Sequence, residues 1–128
     1  MENRGKKILI IEDEEGLVLS LRTLLKSQGY EVIVAYDATF GTSLAYKEKP
    51  DLIILDLGLP AGGGFSVLKN VKISIFTQDI PTMVLTSNPL KESEERAYAL
   101  GAAVYLQKPY DPPELLKKIK ETIGGAAG

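Results

Sequence analysis

The stretch Leu52–Gly64, LIILDLGLPAGGG, decides how the chain folds. Four apolar residues run into Asp56, and a break rich in glycine and proline follows. A short continuous apolar run bounded by turn residues fits a strand covered on both faces, as in a parallel sheet. Such a strand has no packing use for a carboxylate at its end, so Asp56 needs another explanation. Similar runs recur along the chain: KILII at 7–11, EVIVA at 31–35, TMVLT at 82–86 and AVYLQ at 103–107. Segments of helical period lie between them. Leu17, Val18, Leu21, Leu24 and Leu25 form one apolar stripe that ends at Gly29. Leu115, Leu116, Ile119 and Ile123 form another, opened by Asp111-Pro-Pro-Glu114. Helices are also expected over 38–48, 65–76 and 92–100, the last being the least apolar and the most weakly held.

Strand and helix thus alternate five times, which implies a doubly wound α/β sheet with right-handed crossovers. At this length the expected solution is a flavodoxin-like (βα)5 sandwich, its five parallel strands in the order 2-1-3-4-5. A chain of 128 residues, 45% apolar and 25% charged, fits one domain spanning 6–123. Residues 1–5 are expected to be disordered, and the GGAAG ending at 124–128 to form a flexible tail or the start of a linker.

Composition excludes several chemistries. Without cysteine there is neither a disulfide framework nor a thiol nucleophile, a usage that fits the cytoplasm. Without histidine there is no imidazole base and no His-based zinc site. No apolar run approaches the ~18 residues of a membrane span, so no membrane association is expected. A net charge of −2 argues against direct nucleic-acid binding.

In open parallel sheets, ligands bind outside the carboxyl ends of the strands, where the strand order reverses. The unusual polar residues fall there. Glu12 and Asp13 follow the first strand, Asp56 closes the third, Thr86 and Ser87 close the fourth, and Lys108 follows the fifth. Each has a plainer reading: EDEE as an N-cap and favourable charge at a helix start, Asp56 as an Asx turn, Thr86 as a β-branched strand end, Lys108 as a solvated lysine. Their joint placement is hard to attribute to capping alone. Two carboxylates ~4 Å apart repel by about 4 kcal/mol at an effective dielectric of ~20, so a retained proton or a cation is required. With only oxygen ligands on offer, Mg²⁺ or Mn²⁺ is the natural neutraliser. Such a site beside an ammonium and a hydroxyl also suits a phosphoryl group, with Asp56 as nucleophile.

From about Lys6 to Ile123 the chain resembles the receiver domain of bacterial two-component response regulators. ILIIEDE carries that family's acidic pair, DLIILDLGLPAGGG its phosphoacceptor loop, MVLTS its switch hydroxyl, and GAAVYLQKP its aromatic and Lys-Pro pair. The resemblance implies a phosphorelay switch in which Asp56 takes a phosphoryl group from a phosphohistidine on a sensor histidine kinase or histidine phosphotransfer protein. Asp13, Asp56 and the Gly58 carbonyl would bind Mg²⁺, with Glu12 acting through a water. Lys108 and Thr86 would meet the phosphoryl oxygens, and Tyr105 would swing inward as Thr86 moves. The output face would be helix 4, strand 5 and helix 5, including Tyr98, Tyr105 and part of the Lys117, Lys118 and Lys120 group. Such a domain is no enzyme beyond catalysing its own phosphorylation and dephosphorylation. A cis Lys108–Pro109 bond is also implied.

The chain departs from the family pattern in places. Glu12 replaces the commoner Asp, and Gly63 stands where the family has Asp, so the AGGG loop at 61–64 is expected to be mobile. Gly58 and Asn88 fall at positions that in the family influence phosphoryl lifetime, so the resemblance implies no particular lifetime here. The competing readings are weaker. A haloacid dehalogenase-like phosphatase needs its nucleophile on strand 1 and a cap domain, a flavodoxin needs a hydroxyl-rich phosphate loop there, and neither glycine-rich nucleotide motif is present. The serious alternative is a receiver-like interaction module that is never phosphorylated.

Overall fold

The computed structural model describes residues 5–88 and 90–125. Strand and helix alternate as β1 (Lys7–Ile11), α1 (Glu15–Ser27), β2 (Glu31–Ala35), α2 (Ala38–Glu48), β3 (Leu52–Asp56), α3 (Gly63–Ile73), β4 (Thr82–Thr86), α4 (Lys91–Ala99), β5 (Val104–Gln107) and α5 (Pro112–Ile123). The five strands form one sheet in the order β2-β1-β3-β4-β5, and every pairing is parallel. This is the expected flavodoxin-like (βα)5 arrangement, with the switch point between β1 and β3.

Side chains alternate across a strand, so an unbroken apolar run suits a strand with two covered faces. Ile8, Ile10, Leu52, Ile54, Met83 and Leu85 pack on one side against Val18, Leu21 and Leu25 of α1 and Leu115 and Ile119 of α5. Leu9, Ile11, Ile53, Leu55 and Val84 face the other way, onto Ala45 of α2, Val67, Leu68 and Val71 of α3, and Ala97 of α4. Every residue of β3 and of β4 is buried. Edge strand β2 is only half-covered over most of its length.

Local chemistry sets the helix ends. Gly29, at φ 93°, lets α1 turn off, its N–H donating to the Lys26 carbonyl. Asp37 caps α2 by accepting from the Phe40 N–H at 2.7 Å, and Asp111 caps α5 by accepting from the Glu114 N–H at 3.2 Å. The plain reading of EDEE as a cap is not met, because α1 has no side-chain cap bond. Helix α3 differs from expectation at both ends, spanning 63–73 rather than 65–76. Its end lies at Ser74, which is extended, and the apolar Ile75 and Phe76 that suggested continuation are exposed in the following turn. That turn is tied back by the Thr77 hydroxyl, which donates to the Val71 carbonyl at 2.7 Å, and by Lys72 Nζ, which donates to the Ile80 carbonyl at 2.6 Å. Of the expected disordered start (1–5) and flexible tail (124–128), residues 1–4 and 126–128 lie outside the described residues. Within them, the Gly124 carbonyl accepts from the Tyr30 hydroxyl at 3.2 Å.

Candidate functional site

The adjacent central strands bring two carboxylates together. Ile11 pairs with Leu55, so Glu12 lies next to Asp56 at the carboxyl edge of the sheet. The Glu12 N–H still donates to the Ala35 carbonyl at 3.0 Å, which holds its backbone in line with the sheet. Glu12 and Asp56 are buried, at 2% and 5% exposure, whereas Asp13 faces solvent. One oxygen from each of Glu12, Asp13 and Asp56 lies within 4.8 Å of the others. Oxygen-only donors of this charge suit a hard divalent cation.

Lys108 enters this cluster from the end of β5. Its backbone N–H donates to the Thr86 carbonyl at 2.8 Å, and its Nζ reaches Glu12 Oε1 at 2.9 Å and Asp56 Oδ1 at 3.3 Å. Burial alone would lower the Lys108 pKa, but the hydrogen bond and charge of Glu12, joined by Asp56, outweigh it and raise the pKa above the ordinary lysine value. Glu12 is pushed the other way for a carboxyl. Burial, with the nearby Asp56 charge, raises its pKa despite the Lys108 bond. The site thus holds one firmly charged ammonium and more negative charge than that ammonium offsets. The bond between Lys108 and Pro109 is cis.

Both readings of Asp56 hold at once. Its Oδ1 accepts from the Gly58 N–H at 2.8 Å, which is the plain Asx turn. Its Oδ2 accepts no hydrogen bond from the described residues. A Cβ on Gly58 would sit 3.2 Å from Oδ1, so a glycine here keeps the carboxylate uncrowded. Two of the neighbouring glycines are used for close packing. Gly62 takes φ 71°, but Gly63 and Gly64 are buried in the first turn of α3, and a Cβ on Gly64 would lie 2.5 Å from Leu57 Cα.

Thr86 and Tyr105 stand apart from the carboxylates. Thr86 is buried, and its hydroxyl accepts from the Asn88 N–H at 3.0 Å. The half-buried Tyr105 donates its hydroxyl to the Asn88 carbonyl at 3.4 Å, and its ring lies 6.3 Å from that of the exposed Tyr98. Ser87 is exposed. Asn88 is the residue that sequence reasoning undervalued. Its side chain also accepts from the Leu90 N–H at 2.9 Å and donates to Ser93 Oγ at 2.9 Å. The available signal was an asparagine shortly before a helix that lacks any other capping residue.

Comparison with known proteins agrees with this geometry. The family model described as "Response regulator receiver domain" matches residues 8–120. The phosphate regulon transcriptional regulatory protein PhoB of Escherichia coli is 34% identical over 119 residues, which cover 93% of this chain and 52% of that protein. The chain therefore spans about half the length of the curated relatives it matches. The receiver domain of a sensor histidine kinase from Pseudomonas aeruginosa, solved with magnesium coordinated in its active-site cleft, superposes with a TM-score of 0.86 at 28% identity, covering 95% of this chain and all of that one. A putative response regulator from Chloroflexus aurantiacus reaches a TM-score of 0.88 at 29% identity, covering 94% and 98% of the two chains.

Proposed function

The chain belongs to the response regulator receiver domain family, and from that premise we propose that Asp56 is the phosphoacceptor of a two-component signalling switch. The observation that carries this reading is the convergence of Glu12, Asp13 and Asp56 within 4.8 Å, with the Lys108 ammonium among them. Asp56 Oδ2, which accepts no hydrogen bond from the described residues, attacks phosphorus in line. The P–N bond to a donor imidazole breaks, and the electron pair leaves with the imidazole nitrogen, which takes up a proton. The product is an aspartyl phosphate. Oδ1 stays fixed by the Gly58 N–H, so the carboxylate presents one face throughout.

Glu12, Asp13, Asp56 and the Gly58 carbonyl are the groups that would hold Mg²⁺, with Mn²⁺ as a substitute, and the bound ion would offset phosphoryl charge. Lys108 then exchanges its carboxylate contacts for phosphoryl oxygens, and Thr86 donates its hydroxyl to another. This adds about −1.5 to −2 charges and new acceptor oxygens, which bias α4, β5 and α5 toward a second arrangement in which Tyr105 moves inward. The same groups support self-catalysed phosphorylation and dephosphorylation. The donor is the phosphohistidine of a kinase or phosphotransfer protein, and the working compartment is the cytoplasm. Among the described residues no helix is long and apolar enough to cross a membrane. An unphosphorylated interaction module is not favoured, because the acidic pocket and its lysine are intact.

Intact mass after incubation with acetyl phosphate tests the reading. Wild type with Mg²⁺ should gain one phosphate, and Asp56→Asn, or wild type in chelator, should gain none. A wild-type chain that never gains mass would overturn it.

A further inference from the structure

The exposed apolar side chains are not spread evenly over the surface. Tyr46 in the last turn of α2, Ile73 at the end of α3, and Ile75 and Phe76 in the turn that follows are each more than half exposed. Helices that leave the carboxyl edge of a parallel sheet end at its amino edge, so this group lies at the opposite end of the molecule from Asp56. The rings of Tyr46 and Phe76 meet edge to face with centroids 5.3 Å apart, and Lys49 Nζ lies 5.3 Å and 5.4 Å from the two centroids. The turn that carries Ile75 and Phe76 is firmly held. The Thr77 and Gln78 N–H groups donate to the Ser74 carbonyl at 3.2 Å and 2.8 Å, the Phe76 N–H donates to Ser74 Oγ at 3.1 Å, and the Thr77 hydroxyl ties the turn to α3. The two apolar side chains take no part in that bonding, and holding them in water costs free energy. A clustered apolar patch on a fixed turn marks an interaction surface.

We propose that this patch docks an acidic, apolar-anchored segment of another protein. Charge selects the occupant. Lys49 and Lys69 make no ion pair with the described residues, and the nearby acids are engaged, Glu48 with Lys7 at 3.1 Å and Asp79 beside Lys72. The patch is therefore apolar at its centre and positive at its rim, in a chain whose net charge is −2. An apolar anchor seated on the crossed rings brings acidic neighbours within reach of those ammonium groups, which favours the right partner and repels basic ones. A second copy of the chain is the poorer occupant, because a two-fold contact would set the same unpaired lysines against each other. A bilayer is poorer too, since four side chains without an acyl chain give only marginal membrane binding. Fixed aromatic rings, by contrast, are the anchors on which protein interfaces concentrate their energy. The patch lies far from the carboxylates, so its occupant leaves Asp56 uncovered and tethers the domain without closing the site.

The test is selection of short random displayed peptides on the wild-type chain. The enriched peptides are then resynthesised and titrated by fluorescence anisotropy against wild type, Ile75→Ser, Phe76→Ser and Lys49→Glu. All three replaced side chains are exposed, and each variant should keep the wild-type circular dichroism. The enriched peptides should combine an aromatic or aliphatic anchor with an excess of Asp and Glu. Ile75→Ser and Phe76→Ser should each weaken their binding about tenfold. Lys49→Glu should weaken it as well and flatten its dependence on salt. Peptides that bind Phe76→Ser as tightly as wild type, peptides without the acidic excess, or a selection that enriches nothing would overturn the proposal. Two further measurements identify the rival occupants. A wild-type dimer in sedimentation that Phe76→Ser abolishes would assign the patch to a second copy, and flotation with phosphatidylglycerol vesicles that Phe76→Ser abolishes would assign it to a membrane surface. Either result overturns the proposal too.

Discussion

Lys108 has an ion-pair role at the scale of single residues, because its ammonium sits 2.9 Å from Glu12 and 3.3 Å from Asp56 in a site mostly closed to water. Removing it leaves buried carboxylates facing each other. In chelator, Lys108→Ala should lose about 1 to 3 kcal/mol of stability by urea unfolding, and Mg²⁺ should restore part of that loss. The pH dependence follows from Glu12, whose pKa burial raises above its ordinary 4.5. Between 4.5 and that raised value, the folded state binds more protons than the unfolded one. Metal-free stability should therefore fall as pH rises through this window. Ion binding requires the carboxylate, so Mg²⁺ affinity should instead rise with pH over the same range. Calorimetric titrations of Mg²⁺ at several pH values check the sign, and an affinity that falls with rising pH would refute it.

The turn from β3 into α3 governs the next scale, that of elements. Asp56, Leu57 and Gly64 pack so closely that a Cβ on Gly64 would come within 2.5 Å of Leu57 Cα and 2.6 Å of the Asp56 carbonyl oxygen. Both contacts are backbone, which cannot swing aside as a side chain would. Gly64→Ala should cost about 1 to 3 kcal/mol in denaturant unfolding, as overpacking does, and should displace the Asp56 carboxylate. Slower labelling by acetyl phosphate would report that displacement. Gly62→Ala has open space at its Cβ but sits at φ 71°, so its smaller loss would come from backbone strain alone. Gly63 and Gly64, part of the run that suggests a loose loop in the sequence, act in the fold as a close seat for α3 against the end of β3.

Over the whole molecule, burial is graded from centre to edge. Strands β3 and β4 are buried along their full length, β2 is half-covered, and α4 contributes one buried residue to the core. Native-state hydrogen exchange should rank the amides in that order, with β3 and β4 opening only on global unfolding and α4 opening locally at far lower free energy. An α4 as protected as β3 would contradict the idea that it is the moving part. The contrast also explains how a local change at Asp56 can be read at a distance. The carboxylate stands on rigid strands, and α4, the helix with the fewest buried residues, is the part of the proposed α4–β5–α5 output face that packing holds least.

The sequence by itself determined the architecture and the chemistry of the site. Continuous apolar runs at five places fit strands of a sheet covered on both faces, fully at β3 and β4 and partly at the edge strands β2 and β5, and the helical stripes between them imply parallel crossovers. Asp56, Glu12, Asp13, Thr86 and Lys108 then fall at strand ends on one edge, because residues that follow parallel strands share that edge. These are consequences of period and order, which a linear chain displays. Contacts between residues of different elements were decided only by the tertiary structure. That Lys108 lies closer to Glu12 than to Asp56, that Gly63 and Gly64 are closely packed, and that α3 ends at Ser74 all depend on distances across the fold. The same holds for Asn88, whose importance comes from four hydrogen bonds converging on it from Thr86, Leu90, Ser93 and Tyr105. Such convergence is set by how β4, α4 and β5 come together in space, and spacing along the chain does not record it.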